Sequence, residues 1–189
     1  MGKALFDRGN FIAAARALAA GSSPAAVTVD AVIERVGSPK GSFYHRFASR
    51  DILMGELWLE TILDYQQGFV QAIEAKEGLA AALHAAVWSR AHLHEARLLM
   101  LYSRHDFVAG AWPEQLKKGV RDQARTFESC LEHFALEAFG SRNAASLRRA
   151  TFVLAEAPIA AVKSHLQRRE APPAIVDELI TSVYRAIVP

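Results

Sequence analysis

The sequence predicts an all-α fold: an N-terminal three-helix unit with a helix-turn-helix, then a larger helical bundle, about nine helices in all. Three observations carry this. Apolar residues recur at three- and four-residue spacing almost throughout, the period of one helix face. Period-two alternation, the mark of a half-buried strand, is hard to find. One stretch, VTVDAVIERVGSPKGSFYHRF (27–47), breaks the Ala- and Leu-rich pattern with Gly, Ser-Pro, Lys-Gly-Ser and an aromatic cluster, which suits two short helices and a tight turn.

Taken in order, Phe11, Ala14, Ala15 and Leu18 mark a first helix ending near Gly21, and GSSPAA (21–26) reads as a loop. Val29, Val32, Ile33 and Val36 give a second helix over about 29–36, with Thr28 as N-cap and Gly37 as its stop. Ser38 is the expected cap of the third helix, with Pro39 in its first position, where a missing N–H costs nothing; that helix ends near Arg46. A long helix should follow Ser49, with Asp51 in its first turn, and run to about Lys76. Gly78 separates it from 79–94, which continues or kinks into 95–107. After a break at 110–114, a helix over Glu114–Phe139 is stopped by Gly140. Another runs from Asn143 to about Arg169 with a kink at Pro158, and Ile175–Ile187 forms the last.

At 189 residues, with 51% hydrophobic and 22% charged residues, the chain has the balance of a soluble globular protein with a sizeable core. The single cysteine, Cys130, excludes an intrachain disulfide and fits a reducing, intracellular setting, so a cytoplasmic protein is expected. No uncharged run reaches the roughly 18 residues of a membrane span, and the first residues lack the apolar core of an export signal. The formal charge of +2 is uneven: residues 1–55 hold seven Lys/Arg against four acids, the remainder 15 against 16. A basic N-terminal quarter suggests a polyanion as partner there.

The short third helix would bury Phe43 and Phe47 at i, i+4 and leave Lys40, Gly41, Ser42, Tyr44, His45 and Arg46 on or near its outer side. Small residues beside basic and aromatic ones suit a helix whose N-terminal end enters a DNA major groove. Gly41 and Ser42 permit close approach; Lys40 and His45 can donate to base edges; Tyr44 and Arg46 can reach phosphates.

The ordered pattern Thr28-Val29, Val32-Ile33, Val36-Gly37-Ser38, Gly41-Ser42-Phe43-Tyr44, Phe47, Ser49-Arg50-Asp51 and Leu53 resembles the DNA-binding domain of the TetR family of bacterial regulators, over roughly residues 8–55. The resemblance implies a positioning helix at Val29–Val36 and a recognition helix at Pro39–Arg46. Thr28, Ser42, Tyr44 and Arg50 would contact phosphates, and Lys40, Gly41 and His45 would face bases. Family members usually carry Lys where Arg50 stands, and Asp30 falls where some place a basic base-reading residue. The implied organisation is a DNA-binding domain over 1–48 and an effector-binding and dimerisation domain over 49–189. The implied function is a ligand-responsive transcriptional regulator, a repressor that binds a near-palindromic double-stranded operator as a homodimer and is released by a small, largely apolar effector.

Elsewhere the signals are weaker. His92-x-His94, with His84 and His105 nearby, invites a metal reading, but positions i and i+2 lie on different helix faces and nothing completes a ligand set. With no phosphate loop, dinucleotide fingerprint or nucleophile pattern, neither catalysis, a metal nor a cofactor is expected. The alternative to a regulator is a helical binding protein or enzyme without operator recognition. Trp58, Ile62, Trp88, His92, Tyr102, Phe127 and Cys130 are the candidate wall of an effector cavity. The last helix carries two apolar stripes, Ile175/Leu179/Val183 and Val176/Ile180/Ile187, so a partner copy is expected on one of them. Leu147, Thr151, Leu154, Ala161, Val162, His165 and Leu166 on the preceding helix are the expected companions of that face.

Overall fold

The computed structural model describes residues 6–101, 106 and 112–189, and all regular structure among them is helical. It comprises α1 (Arg8–Gly21), a 3-10 turn (Pro24–Ala26), α2 (Val29–Val36), α3 (Lys40–Tyr44), α4 (Arg50–Glu74), α5 (Gly78–Ala91), α6 (Leu93–Leu99), α7 (Glu114–Phe139), α8 (Ala144–Thr151), a π turn (Phe152–Glu156), α9 (Ala157–Gln167) and α10 (Ile175–Ile187). The chain forms two compact units, one of residues 1–62 and 98–120, the other of 63–97 and 121–189. Both α4 and α7 pass from one unit into the other.

In the first unit, local chemistry sets each helix end. Asp7 caps α1 in a reciprocal box: its carboxylate accepts from the Asn10 N–H, and Asn10 accepts from the Asp7 N–H. Thr28 caps α2 by accepting from the Ala31 N–H at 3.1 Å. Gly37, at φ 71°, reverses the chain; its N–H donates to the Glu34 carbonyl and that of Ser38 to the Ile33 carbonyl. This double closure needs a left-handed residue, which glycine supplies without strain. It also corrects the expected start of α3. With the Ser38 backbone closing α2, its hydroxyl is buried without a partner, and Pro39 becomes the N-cap, at φ −61° and ψ 147°. The helix therefore begins one residue late, at Lys40. Ser49 caps α4 as expected, accepting from the Ile52 N–H at 3.2 Å.

The core of this unit is aromatic at its centre. Phe11, Phe43 and Phe47 are fully buried, with ring centroids 5.5–6.1 Å apart. Val27, Val32, Leu53, Met54 and Leu57 surround them.

In the second unit, α5 packs against α9 and α10. Its alanines Ala81, Ala82, Ala85 and Ala86 are buried, which permits close helix approach. The kink expected at Pro158 takes the form of the π turn one turn upstream: proline has no N–H to give and its ring crowds the carbonyl of residue 154, so the backbone widens there. The separation within 79–107 falls at His92, where α5 ends.

On α10, Val176 and Ile180 are buried, while Ile175 and Leu179 are more than half exposed, so one stripe faces its own bundle and the other is uncovered within the chain. The preceding rod differs from expectation. Leu154, Val162 and Leu166 are buried in their own unit, and the large apolar residues exposed there are Phe152 and Ile159. The extra residue in the π turn rotates the downstream face by about 100° relative to a regular helix.

Four described helix ends use a left-handed residue: glycine at Gly37 and Gly140, and a residue with a side chain at Lys76 (φ 61°) and Arg169 (φ 64°). An alanine at Gly37 would meet nothing within 4 Å, so Gly37→Ala costs only the backbone term, about 1 kcal/mol, and Arg169→Gly should gain a similar amount. Urea unfolding of the two variants checks both signs.

Candidate nucleic-acid interface

A helix of five residues cannot hold itself in water, so α3 depends on its buried ring. Phe43 packs edge-on against Phe11 and against Tyr44, whose ring lies 5.3 Å away and is half exposed. This leaves Lys40, Gly41, Tyr44 and His45 on the exposed side, with Ser42 and Arg46 partly covered. A Cβ at Gly41 would meet open space, so the backbone there is open to close approach. Thr28 and Pro39 are exposed at the starts of α2 and α3.

Two cations are held within this surface. Lys40 pairs with Asp30 at 3.0 Å, linking α3 to α2, and that hydrogen bond and charge hold its ammonium above the usual lysine range. Both partners are mostly exposed, where water weakens such a pair, so Lys40 can leave it at little cost. Arg46 curls back along α3 to donate to the Ser42 carbonyl at 2.9 Å, with its guanidinium over the Phe11 ring.

Arg50 is differently placed from the rest. Its guanidinium donates to the carbonyls of Val27 (2.5 Å) and Pro24 (2.9 Å) and to the Asp51 carboxylate (3.3 Å). Sequence reasoning missed Arg8 altogether. Arg8 forks onto the Glu56 carboxylate, donates to the Arg46 carbonyl at 2.6 Å and lies 4.3 Å over the Phe47 ring. A second α1–α4 pair joins Arg16 to Glu60.

The candidate effector residues divide between the units. Trp58 and Ile62 belong to a small cluster of the first, with Leu116 and Val120; the Trp58 indole donates to the Leu99 carbonyl at 3.3 Å. Trp88, His92, Phe127 and Cys130 belong to the second. There Trp88 stacks on His92 at 4.9 Å and meets Tyr65 edge-on, and Phe127 lies against Phe69 at 5.2 Å. Burial, with the Glu74 charge, pushes the Cys130 thiol up. Tyr102 and His105 lie outside the described residues. Among the described residues no three His, Cys, Asp or Glu side chains gather as a metal site.

Gln66 was also missed. It is almost fully buried, its amide donates to the Gln123 carbonyl at 3.0 Å, and its carbonyl oxygen has no partner. It borders a groove of about 350 Å³ with Leu63, Val70, Glu74 and Thr126. Its signal lay in the sequence: Ile62, Gln66, Phe69 and Ile73 share one helix face, and a glutamine in such a stripe is a buried polar group.

Residues 11–57 match the family model described as bacterial regulatory proteins, tetR family. Among solved structures, the chain is similar to one assigned to a TetR-family transcriptional regulator of Mesorhizobium loti MAFF303099, with 15% identity, 96% of each chain covered and a TM-score of 0.55. No curated protein sequence matches the chain. No described helix is long and apolar enough to cross a membrane.

In the second unit, His84 yields a pH prediction. Its Nε2 bonds the Tyr65 carbonyl at 2.7 Å, and burial, outweighing that bond, holds its pKa below an ordinary imidazole. Folding therefore disfavours the protonated ring. The resulting stability is present above the unfolded pKa and is lost as pH falls toward the folded one. Melting curves between about pH 7 and about pH 5 should show the parent losing more stability than His84→Gln.

Proposed function

We propose that this chain is a transcriptional regulator of the TetR family, a repressor that binds a near-palindromic operator as a homodimer and leaves it when a small molecule binds the second unit; the match of residues 11–57 to the family model supports the reading. The observation that carries the reading is the outer surface of α3. Lys40, open-backed Gly41 and His45 stand on the exposed side of a helix whose inner side is locked by Phe43.

In this reading the N-terminal end of α3 enters the major groove. Gly41 lets the backbone approach, Lys40 exchanges Asp30 for a base acceptor, and His45 reads a second edge. Thr28, Ser42 and Tyr44 hold the phosphates that fix register. The pairing surface is the uncovered face of α10 and the rod before it, where Ile175, Leu179, Phe152 and Ile159 leave apolar area in water. A two-fold axis through that face would present two recognition helices to a palindrome. The effector wall is assigned to Trp88, His92, Phe127 and Cys130, among which His92, stacked on Trp88, offers an imidazole to a polar group. Because α4 and α7 run through both units, an effector with differential affinity for two settings of these helices would change operator affinity, and about 3 kcal/mol of coupling suffices for over a hundredfold release.

Selection from random DNA should return a palindromic motif with half-sites about 34–36 Å apart or modestly more. On that motif Lys40→Ala or His45→Ala should change the preferred base, at about 1–3 kcal/mol, whereas Tyr44→Ala should weaken all sequences alike. No motif, with variants binding like the parent, would leave the helical binding protein or enzyme as the better reading.

The pairing surface has its own test. Leu179 is 56% exposed, so Leu179→Glu should fold as well as the parent by circular dichroism yet sediment as a monomer where the parent is a dimer at micromolar concentration. A monomeric parent would refute the homodimer.

A further inference from the structure

Two arginines of the first unit donate to main-chain carbonyls at the ends of the helix-turn-helix, Arg50 to two and Arg8 to one. Arg50 opens α4 and holds the Pro24 and Val27 carbonyls, which belong to the segment launching α2 at Thr28. Arg8 opens α1, in the position its capping box fixes, and holds the Arg46 carbonyl just past the end of α3. The other edge of Arg8 is forked onto Glu56 of α4, and its plane covers Phe47. The helix-turn-helix is thus pinned to α4 at its entry by Arg50 and at its exit by Arg8.

We propose that Arg8 and Arg50 are positioning residues for operator binding, acting by holding α2 and α3 in the orientation that presents α3, and that Arg50 is not a phosphate ligand. The proposal rests on the operator-binding reading above. Its physical content concerns populations. A unit that loses a pin spends part of its time with α3 out of register, and apparent affinity falls by the fraction that remains in register. The bound complex keeps every phosphate contact, so the dependence of affinity on salt is unchanged. A phosphate ligand behaves otherwise, because its loss removes about 0.9 from the slope of log affinity against log salt. Lysine separates the two roles further. It supplies the charge that a phosphate needs, but it lacks the planar fork that reaches two carbonyls from one rigid group.

The test uses the full chain and the operator selected from random DNA, with active protein titrated before each measurement. Arg50→Ala and Arg50→Lys should each bind about tenfold more weakly than the parent, with the parental salt slope. Arg8→Lys and Glu56→Gln, neither of which removes a donor from the outer face of α3, should do the same. A reduced slope in Arg50→Ala, together with parental binding by Arg50→Lys, would make Arg50 a phosphate ligand and overturn the proposal. Lower melting temperatures with parental affinity of the active molecules would reduce both arginines to stabilising residues and overturn it equally. A parent that selects no sequence would instead remove the operator reading itself, and this proposal with it; that result is distinct because it needs no variant.

Discussion

The first unit depends on one constraint: α3 is too short to exist without its neighbours. Five residues of helix make barely more than one turn, below the length at which hydrogen bonds repay nucleation. What fixes α3 is the burial of Phe43 among Phe11 and Phe47, three rings with no exposed surface. Burying a phenylalanine side chain contributes about 1.5–3 kcal/mol, more than the helix could supply itself. The outer residues are therefore positioned by a core they do not belong to. The same core holds α1 and the start of α4, so the presentation of Lys40 and His45 is a property of the whole unit.

Much of this was legible in the sequence because the signals are local. Thr28, Gly37 and the Val29–Val36 spacing gave α2 its observed bounds, and the same kind of pattern gave Glu114–Phe139 and Ile175–Ile187. A cap or left-handed stop acts over three or four residues, within the reach of a pattern. The start of α3 was misplaced because two local rules competed. Ser38 could cap α3 or close α2, and the Gly37 turn requires the second. The grips of Arg8 and Arg50 could not be read at all. They join residues 23 to 48 positions apart, and a basic residue near a helix start carries no mark of which carbonyl it will meet. The resemblance implies a phosphate contact for Arg50, whose donors in this structure meet the Pro24 and Val27 carbonyls and the Asp51 carboxylate.

In the second unit the legible part was the amphipathic pattern of α10, whose two stripes separate in space into a buried and an exposed one. The rod before it was harder, because the π turn changes the period midway. A sequence pattern read at 3.6 residues per turn assigns the wrong face downstream of such a turn. Gln66 shows the opposite case: its place on a buried stripe was visible, yet a lone polar residue in an apolar pattern is easily passed over. Its unpartnered carbonyl oxygen is the kind of buried group that a structure reveals and composition does not.

The distribution of the three tryptophans has an optical consequence. Trp58 and Trp112 lie in the first unit, and Trp88 alone lies in the second, face to face with His92. Emission from the chain is therefore a sum of two signals of different origin. A Trp88→Phe chain would report on the first unit only, and a chain keeping Trp88 alone would report on the second, with no dye attached. Since α4 and α7 thread both units, whether the two signals change together in denaturant would show if these helices bind them into one cooperative transition or leave two.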